Sequence, residues 1–230
     1  MILHKSIFIT GTGTDVGKTY IAAGICFQLA SRLLDKKLSY IKPIATGVDT
    51  LNEDFEFIKK ELASLNNFHC SSILEYIEPA SPYISALAEN KVIDYSQILK
   101  ETNSLISQND LSVIEGAGGL MVPITENKMM IDLMSDLKLP VIVVAHFDLG
   151  TVNHTLLTLD KLQEKDIPIL GVVLNQPNQG DRELFSCAVK SNAHEIERVS
   201  GLEVLGQMEY DEDFESNNFK CIAEKILEQC

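Results

Sequence analysis

"GTGTDVGKT", residues 11–19, lies between a short apolar run and a stretch of helical period, and its interpretation decides the fold. The run before it, "SIFIT" (6–10), predicts a buried strand, and "TYIAAGICFQLASRLL" (19–34) after it predicts a helix. A glycine-rich turn between strand and helix points backbone N–H groups inward. The helix N-terminus adds a favourable dipole, so the unit suits a phosphate. Lys18 is placed to reach the β- and γ-phosphates and the Thr19 hydroxyl to hold Mg2+. The pattern GxxxxGK[ST] has glycine at position 12, but Thr12 stands there, flanked by Gly11 and Gly13. Asp15 is unexpected beside a triphosphate, because like charges repel. It reads either as a contact to a cationic amine or metal-bound water, or as a cap of the loop.

Outward from the loop, strands and helices alternate. "LSYIKPI" (38–44) predicts a second strand, closed by Pro43 and Gly47. Helices are expected over 52–65, with an acidic first turn, over 80–90, and over 94–108 with Asp94 as N-cap. "LSVIEGAGG" (111–119) is a strand running into a glycine-rich turn, and "LPVIVVAHFDLG" (139–150) a strand ending in a loop. Then come a helix (151–166), a strand (167–177), a helix (181–201), a short strand (203–207) and an amphipathic helix (218–230). This order predicts an α/β fold: a mostly parallel sheet with helices on both faces, a P-loop NTPase-like three-layer sandwich. No repeat or linker interrupts residues 1–230, so a single domain is expected. Ligands of such sheets bind beyond the carboxyl ends of the strands. "GTGTDVGKT", "KPIATG", "EGAGG", "AHFDLG" and "NQP" each follow a strand.

The net charge of −14 leaves no global basic field, which argues against nucleic acid and anionic membranes as partners. An anionic substrate must rely on a few local lysines and on backbone N–H groups. The apolar part of "MILHKSIFIT" is too short for a signal peptide, and no apolar run approaches the ~18 residues that span a bilayer. The five cysteines (Cys26, Cys70, Cys187, Cys221, Cys230) are never spaced as CxxC and read as reduced thiols. A cytoplasmic location follows, in which the sequon at Asn153 stays unmodified.

Lys42 ends a buried strand, where an ammonium is costly unless it reaches a polar site or snorkels to the surface. Glu115 ends another strand, where phosphate-loop enzymes keep a metal-binding acid; the plainer reading is a charge at a strand exit. Asp54 is either a third metal ligand or a solvated acid of a first helical turn. Thr19, Asp54 and Glu115 with ATP oxygens make a reasonable Mg2+ set. Gly116, Gly118 and Gly119 let backbone approach a ligand closely.

With "IKPIATG", "SPY", "IEGAGG", "LPVIVVAHFDLGTVNHTLLT" and "GVVLNQ" following the loop in order, the chain resembles the dethiobiotin synthetases, ATP-dependent carboxylases of biotin synthesis. Gly11 followed by threonine is usual in that family. The resemblance implies a homodimer that joins 7,8-diaminononanoate to CO2 at the expense of ATP, through a carbamate and a carbamic–phosphoric anhydride, closing a cyclic urea. Carried over by position, Lys42 and Lys18 hold carbamate and γ-phosphate. Gly13, Thr14, Asp15, Val16 and Gly17, with Lys18, Thr19 and Tyr20, form the nucleotide loop. Thr46 and Asp15 line the carbamate and diamine end, Glu115 and Gly118 border nucleotide and substrate, and Thr19, Asp54 and Glu115 hold Mg2+. Asn175 reads the purine edge. Gly150, Thr151, Val152 and Asn153 of the partner subunit take the substrate carboxylate, so the dimer is part of the site.

One departure concerns the base pocket. The family often carries Gly-x-Ile/Leu-Pro after the last strand, and here the chain reads Gly206-Gln207-Met208-Glu209. His146 and His154 lie near the site in sequence and receive no catalytic role. The alternative is a ParA/MinD-like switch ATPase, but the signature lysine of its KGGxGKT loop falls on Gly13, and the chain is acidic. Related amide-forming ligases add a glutaminase domain, for which 230 residues leave no room.

Overall fold

Apolar residues in β1 (Ser6–Gly11) alternate in direction: Ile7 and Ile9 join one buried cluster, Phe8 the other. That two-residue period, repeated along the sheet, divides the core into two halves on opposite faces. The computed structural model describes residues 6–178 and 186–229. After β1 the order is α1 (Lys18–Arg32), β2 (Leu38–Thr46), α2 (Glu53–Glu61), β3 (Phe68–Tyr76), α3 (Pro82–Ala88), α4 (Tyr95–Ser107) and β4 (Leu111–Gly119). The second half runs α5 (Met130–Leu137), β5 (Val141–His146), α6 (Thr151–Glu164), β6 (Ile169–Asn175), α7 (Ser186–Ser200), β7 (Val204–Met208) and α8 (Asn217–Gln229).

The strands form one seven-stranded sheet in the order β3-β2-β4-β1-β5-β6-β7, with every neighbouring pair parallel. Side chains of α1, α2 and α8 fill one face, and those of α3 to α7 the other, giving the expected three layers. Helices α1 and α8 touch where Phe219 lies over Gly24; a Cβ on that glycine would stand 2.2 Å from the ring. Burying such a phenylalanine is worth about 1.5–3 kcal/mol, so the glycine is a packing requirement. Among the described residues no helix is long and apolar enough to cross a membrane.

Side-chain caps account for two of the helix starts. Asp94 caps α4 by accepting from the backbone N–H of Ser96 and Gln97. Asn52 caps α2 by accepting from Phe55 N–H, and Glu53, Asp54 and Glu56 make the acidic first turn. Helices α2 and α3 are shorter than the sequence suggests. Pro43 does not close β2, which continues to Thr46. The last β2–β4 register pair is Ile41–Ile114, so the missing N–H of Pro43 costs that side no ladder bond. Two elements were not anticipated, β3 and α5. Residues 181–185 of the expected helix and Cys230 lie outside the described residues. Cys26, Cys70 and Cys221 are free thiols.

Candidate active site

The phosphate-type loop joins β1 to α1 at the carboxyl edge of the sheet. Gly17 is the N-cap of α1 with φ +84°, a left-handed conformation, and a Cβ there would stand 2.1 Å from Asn175 Nδ2. Both facts demand glycine. Asp15 is also left-handed, with φ +57°. Lys18 is buried, and its ammonium donates to Gly13 O at 2.8 Å, spanning the loop. Burial lowers the Lys18 pKa below the ordinary lysine value; the Glu115 carboxylate opposes that effect and Lys42 reinforces it.

Strand β4 pairs with β1 at Ile9–Glu115 and again at Gly11–Gly119, so its register slips between them: Glu115 lies beside Ile9, and Gly119 comes level with the start of the loop. Residues 40 and 42 of β2 point to the same side as this acid. The Lys42 ammonium donates to Glu115 Oε1 at 3.1 Å and also to Asp54 Oδ2. Burial by itself would lower the Lys42 pKa, but the Glu115 and Asp54 carboxylates reverse the direction and hold it above the ordinary lysine value. The Thr19 hydroxyl lies 2.9 Å from Asp54 Oδ1 and 3.1 Å from Glu115 Oε1 and donates its one proton to either. The other oxygen of Glu115, Oε2, accepts from the Tyr40 hydroxyl at 2.9 Å. Burial, followed by the Glu115 charge, raises the Tyr40 pKa well above the usual phenol range, so Tyr40 stays a donor.

Except for the wholly buried Tyr40, these side chains border one cavity of about 380 Å³, lined by Thr14, Asp15, Gly17, Lys18, Thr19, Lys42, Thr46, Asp54, Glu115, Ala117 and Gly118. The fold thus brings Thr14, Asp15, Gly17, Lys18, Thr19, Lys42, Thr46, Asp54, Glu115 and Gly118 of the expected site together, while Gly13 and Val16 of the loop do not line this cavity. Among the described residues no three His, Cys, Asp or Glu side chains converge as a metal cage. Mg2+ binds through one or two carboxylates and completes its shell with water and phosphate oxygens. The two carboxylates and one hydroxyl here fit that ion.

Asn175 and Tyr20 sit apart from this cavity. With Gly17, Phe57, Gln176, Pro177, Tyr210 and Asp211 they line a neighbouring space of about 250 Å³. Asn175 is buried, its Nδ2 donates to Val16 O at 3.0 Å, and among the described residues its Oδ1 has no hydrogen-bond partner. Tyr20 turns its hydroxyl to the Glu212 carbonyl and its ring toward Phe57, Phe214 and Phe219. The unusual stretch 206–209 lands beside this space. Met208 is buried opposite Asn175 in the β6–β7 ladder, and Gln176 N–H donates to its carbonyl at 3.1 Å.

Gly150, Thr151, Val152 and Asn153 do not border the 380 Å³ cavity of the same chain. Gly150 caps α6 with φ +96°, and the buried Thr151 donates its hydroxyl to His146 O. Asn153 lines a separate groove with Asp160, Gln163 and Val199. Tyr40 was missed in the sequence. The available signal was its position two residues before Lys42, on the same face of the same strand.

The chain matches a family model described as an AAA domain over residues 5–218. The ATP-dependent dethiobiotin synthetase BioD of Paramagnetospirillum magneticum is 39% identical over 89% of this chain and 88% of its own length. That of Methanococcus aeolicus is 37% identical over 94% of this chain and 100% of its own. Among solved structures, the cell division ATPase MinD of Pyrococcus furiosus superposes with a TM-score of 0.58 at 16% identity, covering 98% of this chain and 100% of that one. A ParA family ATPase from Chlorobium tepidum gives 0.56 at 14%, covering 97% and 90%. At such identity these two likenesses concern the fold alone. The chain belongs to the ATP-dependent dethiobiotin synthetase family.

Proposed function

We propose that this chain is an ATP- and Mg2+-dependent ligase that closes 7,8-diaminononanoate and CO2 into the cyclic urea dethiobiotin, releasing ADP and phosphate. The observation that carries the proposal is the convergence of Lys18, Lys42, Thr19, Asp54 and Glu115 on one cavity at the mouth of the loop. Membership of the dethiobiotin synthetase family supports this reading, and the geometry suits it.

One substrate amine adds to CO2 and loses a proton to become a carbamate. A carbamate oxygen then attacks the γ-phosphorus as the bond to ADP breaks. The second amine attacks the carbonyl of the resulting anhydride, and phosphate leaves as the ring closes. Two anions must meet in the second step, so the task of the protein is to place positive charge between them. Lys42 supplies it from the substrate side and Lys18 from the nucleotide side. Both ammonium groups are largely withdrawn from water, where their attraction for anions is strongest. Thr19, Asp54 and Glu115 hold Mg2+, which when bound neutralises charge on the triphosphate oxygens. The backbone of Gly13 to Gly17 cradles the phosphates. Asp15 and Thr46 border the carbamate and diamine end, and Gly118 keeps β4 backbone close to the loop.

In the neighbouring space Asn175 and Tyr20 border the base. Asn175 offers it Oδ1, unpartnered among the described residues, which accepts from an exocyclic amine. The start of α6, Gly150 to Asn153, receives the substrate carboxylate of a second copy, because a helix N-terminus favours an anion. A homodimer with its site at the subunit interface follows, and the location is cytoplasmic. Incorporation of labelled bicarbonate into a product with the mass of dethiobiotin, dependent on both diamine and MgATP, tests the proposal.

A further inference from the structure

The cluster around Glu115 includes one buried group that the reaction above does not use. Tyr40 is wholly buried, and its hydroxyl has a defined partner, Glu115 Oε2, at 2.9 Å. The opposite oxygen, Oε1, is the one shared by Lys42 and Thr19, which line the cavity. The Tyr40 ring meets Phe55 edge-on, with centroids 5.7 Å apart and planes at 82°. Phe55 directly follows Asp54 on α2. Tyr40 therefore touches the supports of both carboxylates, directly at Glu115 and through the next residue at Asp54.

We infer that Tyr40 is a positioning residue for the metal end of the site: by fixing Oε2, it holds Glu115 in the rotation that leaves Oε1 facing Thr19 and Lys42. The inference rests on Glu115 being a metal ligand. A carboxylate with one oxygen tethered has one rotation about its terminal bond. Released, a buried oxygen left without a donor carries a desolvation penalty and draws the group toward another donor. The donors within reach are those that now hold Oε1, so Oε1 leaves its place. Partners that orient a ligand in this way commonly alter metal affinity about 10- to 100-fold when removed.

The test is Tyr40→Phe, which keeps the ring against Phe55 and removes the hydroxyl alone. Mn2+ binding in the presence of ADP, followed by the electron paramagnetic resonance of the free ion, is expected to weaken about tenfold. Half-saturating Mg2+ in turnover should rise in parallel, while kcat at saturating metal stays within about twofold, the split that marks lost ligand binding. Ser39→Ala is the control, since it breaks an equally buried hydroxyl pair, Ser39–Ser112 at 2.9 Å, without touching Glu115. It should leave Mn2+ affinity unchanged. On a Glu115→Gln background Tyr40→Phe should have no further effect on Mn2+ binding, because the two act as one unit. Unchanged Mn2+ affinity in Tyr40→Phe, or an equal loss on both backgrounds, overturns the assignment. No ADP-dependent Mn2+ binding by the unaltered protein overturns the metal site itself, and this inference with it.

Discussion

Lys42 Nζ and Glu115 Oε1 stand 3.1 Å apart between the middles of β2 and β4, not at the strand ends expected from the sequence, with the lysine side chain 12% and the glutamate 1% exposed. Neither charge is tolerable alone at such depth, so each justifies the other. The same ammonium reaches Asp54, which ties α2 to the sheet edge.

Replacing Lys42 by glutamine should lower kcat by at least about 100-fold, the loss seen when one preorganised donor leaves a developing anion. Nucleotide affinity should change little, because Lys42 borders the reacting end rather than the loop. Phosphate release and nucleotide titration measure the two separately; a fall in both by the same factor contradicts the assignment. The sign for pH follows from the raised pKa. A lysine whose pKa rises on folding adds stability throughout the range below its ordinary value. It loses that stability only as pH climbs beyond that value toward the folded one. The stability difference between unaltered protein and the double variant Lys42→Met, Glu115→Gln, which leaves neither buried charge alone, should therefore be flat between about pH 6 and 9. A step in that range, read from denaturant midpoints, contradicts the ion pair.

Gly17→Ala forces a Cβ into the Asn175 amide and keeps a left-handed φ. The strain is expected to destabilise the fold by roughly 1–3 kcal/mol. MgATP binding should weaken by roughly tenfold, the equivalent of one hydrogen bond to a charged group. Thermal melts with and without MgATP check both, and an unshifted melt with full ligand stabilisation refutes the strained-cap account.

Asn175→Asp should raise the KM for ATP more than it lowers kcat. The amide that donates to Val16 O is lost, and a carboxylate would face that carbonyl instead. The same assay run with ATP, CTP, GTP and ITP examines the base pocket. If Asn175 Oδ1 reads an exocyclic amine, ITP is the poorest substrate of the purine pair ATP and ITP. Equal use of both removes Asn175 from base reading.

Most residues of the candidate cavity were legible in the sequence because their signals are local. A loop of nine residues, and charged residues within otherwise apolar strands, carry their meaning in their neighbours. Tyr40 escaped because its role depends on a partner in another strand, 75 positions away. The fold was legible wherever strands are buried on both faces, as "VIVVAH" is. β3 was not: it is an edge strand paired only with β2, and its residues His69, Cys70, Ser71 and Ser72 carry no apolar run. α5 was missed because it is short, eight residues or about two turns. Met130, Ile131, Leu133, Met134 and Leu137 are buried at helical spacing opposite Asp132, Ser135 and Asp136, but two turns are too few for that period to stand out along the chain. Pro43 looked like a strand end because its tolerance inside β2 depends on where pairing with β4 stops.

Subunit complementation tests the shared site. Lys42→Gln protein mixed with a Thr151→Lys variant, unfolded together and refolded, should regain activity. Some mixed dimers would then combine an intact cavity with an intact helix start. Activity no greater than the two parents summed refutes a site built across subunits.

The most direct measurement is phosphate release by the purified protein with MgATP and bicarbonate, with and without 7,8-diaminononanoate, coupled to mass detection of the product. Release that depends on the diamine and matches dethiobiotin formation one for one is the predicted result. Hydrolysis of ATP at the same rate without diamine, and no cyclic urea formed, would contradict the account.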